Sequence, residues 1–239
     1  MASVRRGTQK AGAIRRRAES VGARVGDAVE RLVFPEAGGS EDQYQRVVMD
    51  RAVAEHLEAL NPAKRSAVEI SGQTHADRGW GRYDSLNYPE FDLCAPVDQD
   101  RKWNVVICEQ VLEHVIDPFG AVRNLRELCS PGGHLVITSP FLIKQHELPM
   151  YGMMDYWRFT PRGLTVMLED AGFVVKQVET WGNRQGVLGN LGPWASFRPW
   201  HSLHNNPEVA VQIWAFARNP KTATPADAAP ESAPGGNSD

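Results

Sequence analysis

Residues 103–140, WNVVICEQVLEHVIDPFGAVRNLRELCSPGGHLVITSP, constrain the fold more than any other stretch of this chain. Residues 103–108 form a run of mostly apolar, β-favouring side chains, the pattern of a strand buried on both faces of a parallel sheet. Asp117 is placed to cap a helix with Pro118 in its first turn, where a missing N–H costs nothing. Phe119, Val122, Leu125, Leu128 and Cys129 then recur at helical spacing and give one apolar face. Pro131, Gly132 and Gly133 predict the helix stop, and residues 134–139 a second buried strand. Such a strand–helix–strand unit belongs to a sheet whose ligands sit at the carboxyl ends of the strands. Glu109, Gln110, Glu113 and His114 fall at such an end.

Signals on either side extend the pattern. Ser40 and Gln43 have capping-box spacing for a helix of about twenty residues, with Tyr44, Val47, Val48, Ala52, Leu57 and Leu60 as its core face. Residues 66–71 and 83–87 read as short strands. Thr160-Pro161 starts a helix that stops at Ala171-Gly172, and residues 173–180 and 209–217 read as further strands. Helices and strands alternate, and two strands joined only by a loop close the chain. This predicts a single α/β domain over residues 40–218, with helices on both faces and an antiparallel edge.

The ends read differently. Residues 1–39 form an arm and linker carrying Arg5, Arg6, Lys10, Arg15, Arg16, Arg17 and Arg24 against Glu19. Ile14, Ala18, Val21, Val25, Val29 and Leu32 keep helical spacing there. Two readings stay open: peripheral contact with an anionic membrane, or a solvated arm or helix docked on its own domain. Residues 219–239, rich in Ala, Pro, Ser and Gly, are expected to be disordered. The net charge of −3 gives no general attraction to nucleic acid. Cys94, Cys108 and Cys129 form no CxxC pair and read as reduced thiols of a cytoplasmic protein. No run approaches the ~18 apolar residues of a membrane-spanning helix.

Three blocks in order carry a family resemblance: ICEQVLEHVIDP at 107–118, PGGHLVITSPF at 131–141 and DYWRFTPRGLTVMLEDAGF at 155–173. The chain resembles the class I S-adenosylmethionine-dependent methyltransferases over residues 66–181, most closely a bacterial subgroup with these blocks. The resemblance implies a Rossmann-like seven-stranded sheet, mostly parallel with its last strand antiparallel, and S-adenosylmethionine as cofactor. It implies that Glu69, Ser71 and Gly72 form the turn around the cofactor's amino-acid portion, with Ser71 and Gln73 standing where glycines are usual. It places Asn87 at the ribose hydroxyls, where the family carries an acid, and Asp92 and Leu93 at the adenine. Glu109, Gln110 and His114 would line the cofactor near its methyl.

Methyl transfer to a hydroxyl requires an in-line geometry, exclusion of water and removal of a proton. In the loop after the second strand of the opening unit, His146 is the expected proton acceptor, with Asp155 or Glu147 orienting it. Tyr156, Trp157 and Arg158 are expected to pack that loop onto the following helix. Residues 182–207 hold Trp194, Phe197, Trp200, His201 and His204 in a long irregular segment. It reads either as a lid offering flat aromatic faces to a sugar or planar acceptor, or as a loop pinned to the sheet. His201 and His204 have no evident third ligand, so no metal is expected.

The expectation is O-methylation of a sugar, glycolipid or small secondary metabolite, without a nucleic-acid partner. The sequence alone leaves open a methyltransferase-like scaffold without activity, motivated by Ser71 and Gln73. A dinucleotide-dependent oxidoreductase would need G-x-G-x-x-G after the first strand, and SGQTHA does not supply it. A nucleic-acid methyltransferase, which would explain the basic arm, stays as a less favoured alternative, since no Asn/Asp-Pro-Pro-aromatic motif appears and the core is not basic.

Overall fold

A computed structural model describes residues 26–39, 43–98, 100–147 and 149–221. The basic arm up to residue 25, Ser40 and the tail from residue 222 lie outside the described residues. Six strands form one sheet: β1 (Ser66–Ile70), β2 (Arg82–Leu86), β3 (Trp103–Glu109), β4 (Cys129–Pro140), β5 (Val174–Trp181) and β6 (Gln212–Arg218). Their order is β2-β1-β3-β4-β6-β5. The pairs β1–β2, β1–β3 and β3–β4 are parallel, and β6 is antiparallel to both β4 and β5.

This corrects the expected seven strands to six among the described residues. Only residues 87–102 join β2 to β3, and they include Pro89, Asp92, Pro96, Asp98 and Asp100. A parallel crossover takes a dozen or more residues by itself, so that segment has no length for a further strand and its return. β2 therefore stays at the edge. At the other end the antiparallel strand is not the edge. β6 is buried on both faces and lies inside, whereas β5, with exposed Lys176 and Gln177, takes the rim.

Four helices pack on the sheet: α1 (Val47–Ala59), α2 (Pro118–Leu128), α3 (Pro161–Asp170) and the short α4 (Arg184–Leu188). Asp117 caps α2 by accepting from Gly120 N at 2.9 Å, and Thr160 caps α3 by accepting from Gly163 N at 3.1 Å. Both match the sequence reading. α1 begins later than that spacing implies, at Val47, with Arg46 as an N-cap that makes no side-chain bond and residues 44–46 forming a turn ahead of it. Gln43 bridges Ser196, and Tyr44 N donates to Ala195 O at 2.8 Å. Its buried face is Met49, Val53 and Leu57, with Tyr44 packed just ahead of it. On α2, Phe119 turns outward and Ala121 joins Val122, Leu125 and Leu128 inside.

The Pro131-Gly132-Gly133 sequence is not a turn but an irregularity within β4, where the register with β3 shifts between Trp103 and Val105. Asn219 seals it, donating to Gly133 O at 3.0 Å and to Cys129 O at 2.7 Å. Ordered structure thus continues past residue 218.

Alternating strand residues feed two cores. Val68, Ile70, Val106, Cys108, Leu135 and Ile137 face α2 and α3. Ala67, Val105, Ile107, Val136, Trp214 and Phe216 face α1 and the segment after β5. Cys108 and Cys129 are buried free thiols, and Cys94 is free and partly buried. Among the described residues no helix is long and apolar enough to cross a membrane.

Candidate active site

The carboxyl ends of β1, β2 and β3 open into a cavity of about 470 Å³. Ser71, Asn87, Asp92, Leu93, Gln110 and His114 line it together. Six of the positions picked for one ligand, spread over more than forty residues, therefore share one wall. Local chemistry fixes each. Ser71 leaves β1 with φ +55°, a left-handed backbone that normally favours glycine, and its N–H donates to Leu86 O at 2.8 Å. Asn87 donates its amide to Ser85 Oγ at 2.8 Å, which keeps its Oδ1 as an acceptor, and Ser85 donates to Gly72 O at 2.6 Å. Asp92 Oδ1 accepts from Cys94 N at 2.8 Å, and Leu93 gives the cavity a buried apolar wall.

Glu69, Gly72 and Glu109 lie behind this wall and not on it. The Glu69 carboxylate accepts from Thr74 N at 2.9 Å, His75 N at 3.0 Å and the Tyr83 hydroxyl at 2.7 Å. It clamps the turn after β1 from beneath. A Cβ on Gly72 would lie 2.5 Å from Glu69 Oε1, so glycine is required for this close approach. The expectation that Glu109 lines the cofactor is corrected by strand alternation. Cys108 faces the α2/α3 core, so Glu109 points to the opposite, α1 side of the sheet. There it meets His75 Nε2 at 3.0 Å and Arg46 at 3.8 Å. Arg78 donates to His75 Nδ1 at 2.8 Å. Burial first, opposed by the neighbouring Arg46, pushes the Asp50 carboxyl up to about 6. No local pattern announces this group, because its members meet only across α1 and the β1 turn.

A second cavity, about 550 Å³, adjoins the first, and Tyr156 lines both. Lys144, Asp155, Arg158 and Leu191 are among its other walls. His146 and Asp155 come together as expected, with Nδ1 3.3 Å from Oδ2. Arg158 holds both Asp155 oxygens, and His146 N donates to Oδ2 at 2.9 Å. Burial would raise the Asp155 pKa, but these bonds hold it below the ordinary carboxylate value. Burial lowers the His146 pKa, with Asp155 opposing, so the ring is neutral at pH 7. Its edge meets His114, ring centroids 4.9 Å apart.

Glu113 is the functional candidate that the sequence reading placed at a strand end without a role. It is fully buried, and that burial pushes its pKa up to about 8. Its carbonyl accepts from Tyr156 N at 2.7 Å and Trp157 N at 3.3 Å, and Trp157 Nε1 donates to Val115 O at 2.8 Å. Tyr156 and Trp157 thus dock on the turn after β3, while Arg158 grips Asp155 and the Lys144 carbonyl.

The segment 182–207 is tied down along its length. Asn183 caps α4, Tyr44 donates to Ser202 O at 2.6 Å, and Trp181 Nε1 donates to Leu203 O at 3.0 Å. His201 is buried against Tyr44 and Phe34, with Nε2 2.8 Å from Val33 O. Trp194 is the aromatic of this segment that reaches the site. Its ring meets His146 edge-on at 5.6 Å and carries the Lys144 ammonium 4.5 Å from its centroid.

Fold and cavity together define an α/β domain that takes a ligand at the carboxyl edge of a mostly parallel sheet. Residues 21–178 match the methyltransferase-domain family, and the chain belongs to that family. No curated protein sequence matches it. Among solved structures, a chain of the Haloferax volcanii complex between the Trm112 methyltransferase activator and a candidate methyltransferase is 14% identical, with TM-score 0.54, covering 83% of this chain and 97% of that one. The Burkholderia thailandensis 1,6-didemethyltoxoflavin-N1-methyltransferase, solved with 1,6-didemethyltoxoflavin and S-adenosylhomocysteine, is 12% identical with TM-score 0.50, covering 75% and 80% respectively. These similarities are of fold.

Proposed function

We propose that this protein is an S-adenosylmethionine-dependent methyltransferase acting on a hydroxyl of a small acceptor: a sugar, a glycolipid or another small metabolite. The observation that carries the reading is the shared wall of Ser71, Asn87, Asp92, Leu93, Gln110 and His114 around a cavity of about 470 Å³, within the size range of cofactor sites. The residues present fit that cofactor. Ser71 on the cavity wall at the end of β1 suits an amino-acid end, Asn87 Oδ1 suits a ribose hydroxyl, and Leu93 beside Asp92 suits an adenine. Bound there, the cofactor supplies an electrophilic methyl on a sulfonium.

The chain's own residues do the rest. The second cavity, joined through Tyr156, receives the acceptor, and Tyr156 and Trp157 on its wall offer it flat faces. His146, oriented by Asp155, presents a neutral imidazole whose lone pair serves the acceptor's proton. The left-handed backbone at Ser71 keeps the turn shape that glycine usually supplies, which favours a working site over an inert scaffold.

Calorimetry with S-adenosylhomocysteine tests the reading: saturable binding near micromolar is expected. Folded protein that binds none would make it a scaffold. His146→Ala should keep that affinity and lower turnover by about 10²-fold.

A further inference from the structure

Beside the first cavity, whose wall includes His114, one carboxylate oxygen of Glu113 and one ring nitrogen each of His114 and His146 lie within 4.8 Å of one another. Their hydrogen bonding is incomplete in a specific way. Glu113 is fully buried, its Oε2 is approached by the Ser139 hydroxyl at 3.4 Å, and its Oε1 has no hydrogen-bond partner. That oxygen lies 3.8 Å from His114 Nε2. His114 Nδ1 is 2.8 Å from the Met154 carbonyl, which can only accept, so Nδ1 carries the proton of the neutral ring. Nε2 then presents a lone pair toward an unpartnered carboxylate oxygen. Two such buried groups need either a proton or a cation between them, and a cation would meet both lone pairs at once.

His146 completes the set. Its ring stands edge-on to His114, and Asp155 lies behind it at 3.3 Å from Nδ1, itself gripped by Arg158. His146 Nδ1 makes no hydrogen bond as it stands, and a carboxylate this close is placed to become the outer partner that orients a metal-binding histidine. Two imidazoles and one carboxylate suit a borderline first-row divalent ion, whereas magnesium and calcium prefer all-oxygen sites. With bonds of about 2.0–2.2 Å to each ligand, modest side-chain rotations close the present spacing around such an ion.

We propose that Glu113, His114 and His146 bind a divalent transition-metal ion of the zinc, manganese or iron(II) class beside the methyl-donor cavity. Three protein ligands leave coordination positions open. An acceptor hydroxyl reaching one of them would have its O–H bond polarised; the bond breaks with its electron pair kept on oxygen, and the proton leaves to solvent. Its catalytic use rests on the methyl-transfer reading, but its existence does not. With the ion bound, His146 is a ligand and the polarised acceptor no longer needs it as a base.

The test uses the full-length chain without a polyhistidine tag, stripped with a chelator and titrated with Co²⁺ by visible absorption and with Zn²⁺ by calorimetry. One ion per chain is expected, at micromolar affinity or tighter. His146→Gln should weaken it at least 10-fold, and Asp155→Asn by about 10-fold through loss of the orienting partner. The His146 side chain is 28% exposed, so its replacement is tolerated where that of buried Glu113 is not. Unchanged S-adenosylhomocysteine affinity in His146→Gln verifies the fold. No saturable binding by wild type, or equal binding by His146→Gln, overturns the site. Product binding without metal binding rejects the ion and keeps the methyl-transfer reading; metal binding without product binding does the reverse.

Discussion

Replacing Glu69 by glutamine should loosen the turn that frames the proposed cofactor cavity, although residue 69 does not line that cavity. Three donors converge on its carboxylate: Thr74 N at 2.9 Å on Oε1, and His75 N at 3.0 Å with the Tyr83 hydroxyl at 2.7 Å on Oε2. A glutamine keeps one oxygen, which can stay with His75 and Tyr83, and turns its NH₂ toward the Thr74 N–H. One charge-assisted bond, worth about 1.5–3 kcal/mol, is replaced by two opposed donors, and the other two lose their charge assistance. The sum is about 3–4 kcal/mol, or roughly 10 °C in Tm for a domain of this size. Tyr83→Phe removes a single bond and should cost about 1.5 kcal/mol. Urea unfolding of the three proteins, with S-adenosylhomocysteine calorimetry beside it, makes the comparison. The product should bind Glu69→Gln at least 10-fold more weakly, about 1.4 kcal/mol. If Glu69→Gln is no less stable than Tyr83→Phe, the carboxylate is not the clamp and the argument fails.

Two further outcomes follow from single contacts. His134 is half-buried, and burial first, then Arg218 and Arg65, push its pKa down to about 4. The unfolded chain takes its proton near 6.5, so His134's contribution to stability is complete above that pH and is lost as pH falls toward 4. Against His134→Gln, wild type should lose about 1 kcal/mol more between pH 7 and pH 5 after allowance for solvent screening; parallel pH profiles would refute this. Gly182→Ala should abolish or severely weaken folding, by about 3 kcal/mol or more, because the added Cβ would lie 1.8 Å from the Val209 carbonyl and 2.6 Å from Val211 N. Both obstacles are backbone of the strand-end pairing, and a normally expressed, fully stable variant would show that this backbone yields.

Local patterns fixed much of this architecture in advance. Asp117-Pro118 and Thr160-Pro161 state their helix starts because a cap and its first turn are neighbours in the chain. Residues 103–108 and 134–139 state their strands because burial on both faces leaves little freedom of composition. The six residues that share the wall of the first cavity were legible through a resemblance, and the pairing of His146 with Asp155 through their chemistry. What pairs distant segments was not legible. Gln43 looked like a capping partner until the backbone of 195–196 claimed its neighbourhood, and Pro131-Gly132-Gly133 looked like a turn until Asn219 closed on it. Glu109 and Gln110 are adjacent in sequence, yet the pleat sends one to Arg46 and His75 and the other to the cavity. The opening unit by itself therefore determined a buried strand–helix–strand with polar groups at its end. Only the tertiary structure decided which of those groups meet, since the unpartnered oxygen of Glu113 and the rings of His114 and His146 are brought together by the loop after β4 folding back over the end of β3.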